Sequence, residues 1–253
     1  MIAIRQPWEI ERIRASGRII GLLWKVMAPL MVEGVSTAEL DRAAEDFIRR
    51  QGGRPVFKGY QGYPASICVS INQEVVHGIP NSKRRLQNGD LVGLDVGVIL
   101  EGYIADAART FHIGPAPAPE ALRLAATTRQ ALNRAIEAAR AGHRLSDVSR
   151  AIQTTAESAG YSVVRQLCGH GVGQQLHEPP EISNFVKPGV SPLLKPGMVL
   201  AIEPMVNAGG WEVEFLSDGW TVVTADGSLS AHFEDTVVVT EAEPLVVTGE
   251  ETV

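Results

Sequence analysis

Cysteine is scarce in this sequence of 253 residues: Cys68 and Cys168 could form at most one bridge, which excludes a disulfide-built fold and makes a reducing cytoplasm the expected setting. Long apolar runs are missing as well. The opening MIAIRQPWEIERIRASGR is mixed in charge, and the run from Ile19 to Trp24 stops at Lys25, far short of the roughly 18 residues a spanning helix needs. Neither a signal peptide nor an anchor is expected. Nor is there a basic excess, since 23 Lys and Arg stand against 29 Asp and Glu for a net charge of -6, and nucleic acid and anionic membrane become poor partners. With 45% hydrophobic residues and the 25 Gly and 15 Pro scattered rather than periodic, fibres and disorder are excluded and a full core can form.

Apolar residues at helical spacing after Pro7 (Ile10, Ile13, Ile20, Trp24) predict a helix over about 8–31. Ser36 and Glu39 have the form of a capping box opening a second helix, about 36–51, closed by Gly52 and Gly53. Three β-rich runs follow, SICVSIN, DLVGLDVGVI and YIADAARTFHI. The order then restarts: Pro119 opens an Ala-rich helix stopped at Gly142, Ser146 is expected to cap a shorter helix ending at Gly160, and more strands come after. Aligning the halves pairs LQNGDLVGLD (86–95) with LKPGMVLAIE (194–203), so that Asp95 and Glu203 close matching apolar strands. The expected architecture is an α/β fold of duplicated ααβββ halves, about 8–113 and 119–240, around a pseudo-two-fold axis with a central antiparallel sheet, forming one catalytic domain over 1–253.

The acids give the chemistry. Folding the strands of Asp95 and Asp106 about Leu100-Glu101-Gly102 is expected to set those two carboxylates opposite one another, about 5 Å apart. Glu203 and Glu234 are expected inside strands that otherwise favour Val, Ile and Phe. Ionised carboxylates so close in an apolar setting repel unless they share a proton or hold a cation. Four carboxylates and an imidazole suit two divalent ions of the harder kind.

Of six histidines, His77, His170 and His177 are expected in Gly- or Pro-marked turns flanking the acidic strands, where a side chain can be aimed into a cleft. His112 and His143 read as surface residues, and His232, two before Glu234, as the neighbour of a ligand rather than a ligand. GHGVG at 169–173 is not a nucleotide loop, because prolines soon after it end any helix that could hold a phosphate. The same prolines deny HEPPE the helical register of a zincin.

With HGIP, GHGVG, IEPM and the closing FED, the set Asp95, Asp106, His170, Glu203 and Glu234 resembles the type I methionine aminopeptidases, of the pita-bread fold, from about Glu9 to Thr248. The resemblance implies a dinuclear centre of two divalent ions (Co, Mn, Fe or Zn), with Asp95 chelating one, Asp106 and Glu234 bridging, and His170 and Glu203 completing the other. It further implies that Glu203 accepts the proton of the attacking water, that His177 contacts the scissile amide, and that His77 reaches the peptide beyond the methionine. Tyr60, Tyr63, Cys68 and Trp220 match the residues that line the methionine pocket in that family, whereas Phe57 and Val76 stand where some members carry Cys.

The activity so implied is removal of an N-terminal methionine from peptides and nascent chains, at or near the ribosome, when the second residue is small, by a cytoplasmic monomer. Only 25 residues separate His177 from Glu203, too few for the helical insertion of the type II enzymes, and no Cys/His-rich extension precedes residue 8. The alternatives are an Xaa-Pro peptidase, which usually carries a large extra N-terminal domain, and a non-catalytic pita-bread protein that binds peptides.

Overall fold

A computed structural model describes residues 1–249, so the last four residues of the expected 1–253 domain lie outside the described residues. Four α-helices shape it: α1 (Pro7–Met27), α2 (Thr37–Arg50), α3 (Pro119–Ala138) and α4 (Leu145–Ser158). Pro7 occupies the first position of α1, where a missing N–H costs nothing. The helix ends short of residue 31, passing into a 3-10 turn over Ala28–Leu30, because Pro29 cannot donate to the helical ladder. At α2 the expected capping box is present: the Glu39 N–H donates to Ser36 Oγ at 3.3 Å, and the Ser36 N–H to the Glu39 carboxylate at 2.8 Å.

At α4 the sequence expectation fails. The cap is Arg144, whose N–H donates to Asp147 at 2.8 Å, while Ser146 lies within the first turn and gives its N–H to Ser191 Oγ at 2.7 Å. The reason is the acid three residues on, which reaches back to Arg144; Ser146 is followed at that spacing by Ser149.

The strand pairs are antiparallel. The helices α1 and α2 cover a hairpin of Leu91–Leu100 and Tyr103–His112, flanked by Cys68–Ile71 and Arg54–Pro55, around a core that includes Ile20, Leu23, Leu40, Val96 and Ile104. A second core, with Leu124, Leu132, Val148, Leu200 and Val237, lies beneath α3 and α4. Its five-stranded sheet runs in the order Leu245–Val246, Asp235–Val238, Val199–Ile202, Cys168–Gly171, Glu178–Ser183. The two are stitched where Ala108 and Glu234 exchange backbone hydrogen bonds of 3.3 and 3.0 Å. Among the described residues no helix is long and apolar enough to cross a membrane.

Hairpin register corrects the expected facing of the two aspartates. Glu101 (φ 50°) and Gly102 (φ 83°) form a two-residue turn with both φ positive, which needs glycine in one position and ties Leu100 to Tyr103. Asp95 therefore faces Ala108, and Asp106 faces Gly97. The carboxylates share a face but lie diagonally. The other two acids are not inside strands either: Glu203 follows Val199–Ile202, where Pro204 has no N–H to continue the ladder, and Glu234 sits between Ser230–His232 and Asp235–Val238. Asp95, by contrast, stands mid-strand rather than closing it.

Candidate metal centre

Side chains alternate along a strand, so the odd positions of Leu91–Leu100 and their partners send Asp95, Gly97, Asp106 and Ala108 to one face of the hairpin. The bridge at Ala108 brings Glu234 to the same place. Thr236 fixes the spacing: the Asp106 N–H donates to its Oγ1 at 2.9 Å, and that hydroxyl donates to the Asp106 carbonyl at 2.8 Å. From the facing sheet come His170, within a strand rather than a turn at a bulge before Gly171, and Glu203. Asp106, His170 and Glu234 are all buried, and each offers a ligand atom within 4.8 Å of the other two.

Oδ1 of Asp95, Oδ1 of Asp106 and Oε1 of Glu234 are buried with no hydrogen-bond partner among the described residues. Nε2 of His170 lies 3.5 Å from Glu203 Oε1, and Nε2 of His232 lies 3.6 Å from Glu203 Oε2, both too long for hydrogen bonds. Nδ1 of His170 is 3.0 Å from the Gly171 carbonyl, which can only accept; Nδ1 therefore carries the proton and Nε2 keeps its lone pair. Burial, then repulsion from the neighbouring carboxylates, holds Asp95, Glu203 and Glu234 well above the ordinary carboxylate range, and burial pushes Asp106 up to about 7. Burial likewise lowers His170 and His232 to about 3, and His77 to about 4, so these rings are neutral. Orphaned carboxylate oxygens beside an imidazole lone pair form a donor set that fits divalent cations, whose charge would relieve both the repulsion and the unmet hydrogen-bonding demand.

The acids form one side of a cavity of about 220 Å³, below the roughly 300–1,000 Å³ of drug-sized ligand sites and suited to a single side chain. The opposite wall is Phe57, Tyr60, Tyr63, Cys68, His77, His177 and Trp220. Tyr63 and Trp220 meet edge to face at 5.0 Å, and the Tyr63 hydroxyl lies 3.1 Å from the carbonyls of both Ile67 and Gly78. Cys68 pairs across the sheet with Asp95, and burial raises its pKa, so it stays a thiol. His77 holds φ 61°, uncommon for a residue with a side chain. Phe57 reaches the cavity over Gly97, where a Cβ would fall 2.9 Å from the Phe57 ring.

All eleven site residues singled out in the sequence thus line one cavity, and His232 adjoins Glu203. His143 is exposed as expected. His112 is not a plain surface residue, for both its ring nitrogens are shielded and unpartnered among the described residues. Sequence reading missed Gln61 and Leu176, which also line the cavity; the signal for Gln61 was its pair of glycines, Gly59 and Gly62, both at positive φ. It also missed Arg109, which lies behind the acids. One of its nitrogens donates to the Glu234 carbonyl at 2.6 Å and another to Asp235 at 2.6 Å.

The family described as Metallopeptidase family M24 matches residues 11–241. A methionine aminopeptidase of Clostridium acetobutylicum is 49% identical over 248 residues, covering 98% of this chain and 99% of that protein. Methionine aminopeptidase 1 of Bacillus subtilis is 48% identical over 241 residues, 95% of this chain and 96% of its own. The crystal structure of the methionine aminopeptidase of Thermotoga maritima superposes with a TM-score of 0.96 at 41% identity, covering 99% of this chain and 100% of that one.

Proposed function

The chain belongs to metallopeptidase family M24, and on that premise we propose that it is a metal-dependent aminopeptidase removing the N-terminal methionine from peptides and nascent proteins whose second residue is small. It has the pita-bread fold of its relatives. The observation that carries the reading is one small cavity with unpartnered carboxylates on one side and aromatic and thiol groups on the other.

In this reading Asp95, Asp106, His170, Glu203 and Glu234 would hold two divalent ions, Co, Mn, Fe or Zn. Divalent ions bound there would acidify water and draw negative charge from a carbonyl oxygen. The chain's own groups do the rest. Glu203 takes the proton of the attacking water and delivers it to the leaving amine. His177, at the mouth of the cavity, contacts the scissile amide and stabilises the charge that develops there. His77 reaches the peptide beyond the first residue. Tyr60, Tyr63, Cys68 and Trp220 surround the thioether, for which soft, polarizable walls are suited. We read the chain as a single catalytic domain acting as a monomer in the cytoplasm, on nascent chains at the ribosome.

The test is release of the first residue from Met-Ala-Ser, Met-Lys-Ser and Ala-Pro peptides by chelator-stripped protein, with and without Mn, Co, Fe or Zn. Release from Met-Ala-Ser alone, restored by metal, is expected. Cleavage of Ala-Pro would move the assignment to an Xaa-Pro peptidase, and silence with every metal to a peptide-binding protein.

A further inference from the structure

The hydroxyl of Tyr60 lies 2.7 Å from Nδ1 of His177. The rings meet edge to face with centroids 5.3 Å apart, and both line the cavity. Which atom donates follows from their chemistry. A phenol is a better proton donor than a neutral imidazole N–H, and an imidazole lone pair is a better acceptor than a phenol oxygen, so O–H···N is the stronger arrangement. A neutral imidazole carries one proton, to be placed on one of its two nitrogens. With Nδ1 accepting, that proton resides on Nε2, which has no hydrogen-bond partner among the described residues.

His170 stands beside it, ring centroids 4.3 Å apart and nearly perpendicular. Its Nδ1 gives a proton to the Gly171 carbonyl, so its Nε2 is a lone pair. Two adjacent imidazoles are thereby held in opposite forms, one suited to a cation and the other to a carbonyl oxygen. The loop that carries Tyr60 is set by its own backbone: Gly59 (φ 88°) donates to the Tyr63 carbonyl at 2.8 Å, and Gln61 is held at φ 47°.

We propose that Tyr60 is a positioning residue that fixes the tautomer of His177, making it an Nε2–H donor to the substrate amide. The second half of this statement rests on the peptidase reading above. The experiment is nitrogen-15 NMR of histidine-labelled, zinc-loaded protein, wild type and Tyr60→Phe, with His177→Gln to assign the signals, alongside kinetics on Met-Ala-Ser. In the wild type Nδ1 of His177 should resonate as unprotonated and Nε2 as protonated. In Tyr60→Phe that distinction should be lost or reversed, with zinc content unchanged, and kcat should fall at least about tenfold, the low end of what loss of an orienting partner costs, while KM moves much less. A wild-type ring protonated at Nδ1, a tautomer unmoved by the substitution, or a moved tautomer with unchanged kcat would each overturn the proposal. Failure of the peptidase reading shows differently, as wild-type protein inactive on Met-Ala-Ser with the tautomer signature intact.

Discussion

Asp106 and Thr236 hold one another by two hydrogen bonds, of 2.9 and 2.8 Å, made by one threonine hydroxyl to both the N–H and the C=O of the aspartate. The contact spans 130 residues of sequence, and it aligns the strand bearing Asp106 with the one that follows Glu234. Thr236→Val keeps the shape and leaves a buried N–H and C=O unmatched, so it should cost about 1–3 kcal/mol in urea denaturation and weaken metal binding. Thr236→Ser should retain most of both. Valine at wild-type stability would remove the hydroxyl from this account.

Replacing Glu203 by Gln should lower kcat on Met-Ala-Ser by at least about a hundredfold, the low end of general-base contributions. The same change removes one of four mutually repelling buried acids, so the metal-free protein at pH 8 should be no less stable than wild type. An active variant would sink the role given to Glu203, and a collapsed one would make that residue structural.

Buried acids raised above their ordinary range remain protonated in the folded protein at pH values where the unfolded chain has ionised them. The unfolded state then binds fewer protons, so the stability they contribute is lost as pH rises through their folded values, about 7 for Asp106 and higher for Asp95, Glu203 and Glu234. The melting temperature of chelator-stripped protein should therefore fall from pH 7 to pH 9, and added metal should flatten that slope. Cations displace the same protons, so calorimetric titration at pH 7 should give binding heats that depend on the buffer's ionisation enthalpy; buffer-independent heats would contradict this.

Arg109 and Asp235 form an ion pair of 2.6 Å with side chains only 5% and 6% exposed, and Asp235 also accepts from the Thr248 hydroxyl at 2.7 Å. Removing one partner strands the other charge, so Arg109→Met and Asp235→Asn should each cost about 3–5 kcal/mol. The double substitution should cost less than the sum, which a double-mutant cycle in urea would measure. Strict additivity would mean the two charges are independently solvated.

A methyl group at position 97 would fall 2.3 Å from Val56 Cγ1 and 2.9 Å from the Phe57 ring. Gly97→Ala should cost about 1–3 kcal/mol through overpacking and push Phe57 toward the cavity, raising KM for methionyl peptides. An unchanged KM would place Phe57 outside the substrate's reach.

Much of this was legible in the sequence, because strand alternation, capping boxes and turn glycines act locally. The capping box of Ser36 and Glu39 and the helix opened by Pro7 needed no partner from elsewhere. The facing of Asp95 and Asp106 depends on the turn, and the two-residue turn at Glu101 and Gly102 pairs Asp95 with Ala108, two residues beyond Asp106. Arg109 with Asp235, and Tyr60 with His177, join residues 126 and 117 apart, and no local pattern reports such pairs. Ser146 looked like a cap because serine caps many helices, yet the acid at Asp147 decided the matter.

The bridge between Ala108 and Glu234 also sets a timetable. Residue 106 leaves the ribosome long before residue 234, so a growing copy of this chain carries half its acids early and has nothing to close the site against. Catalytic competence should therefore appear in one step, late in synthesis, once the strand Asp235–Val238 docks.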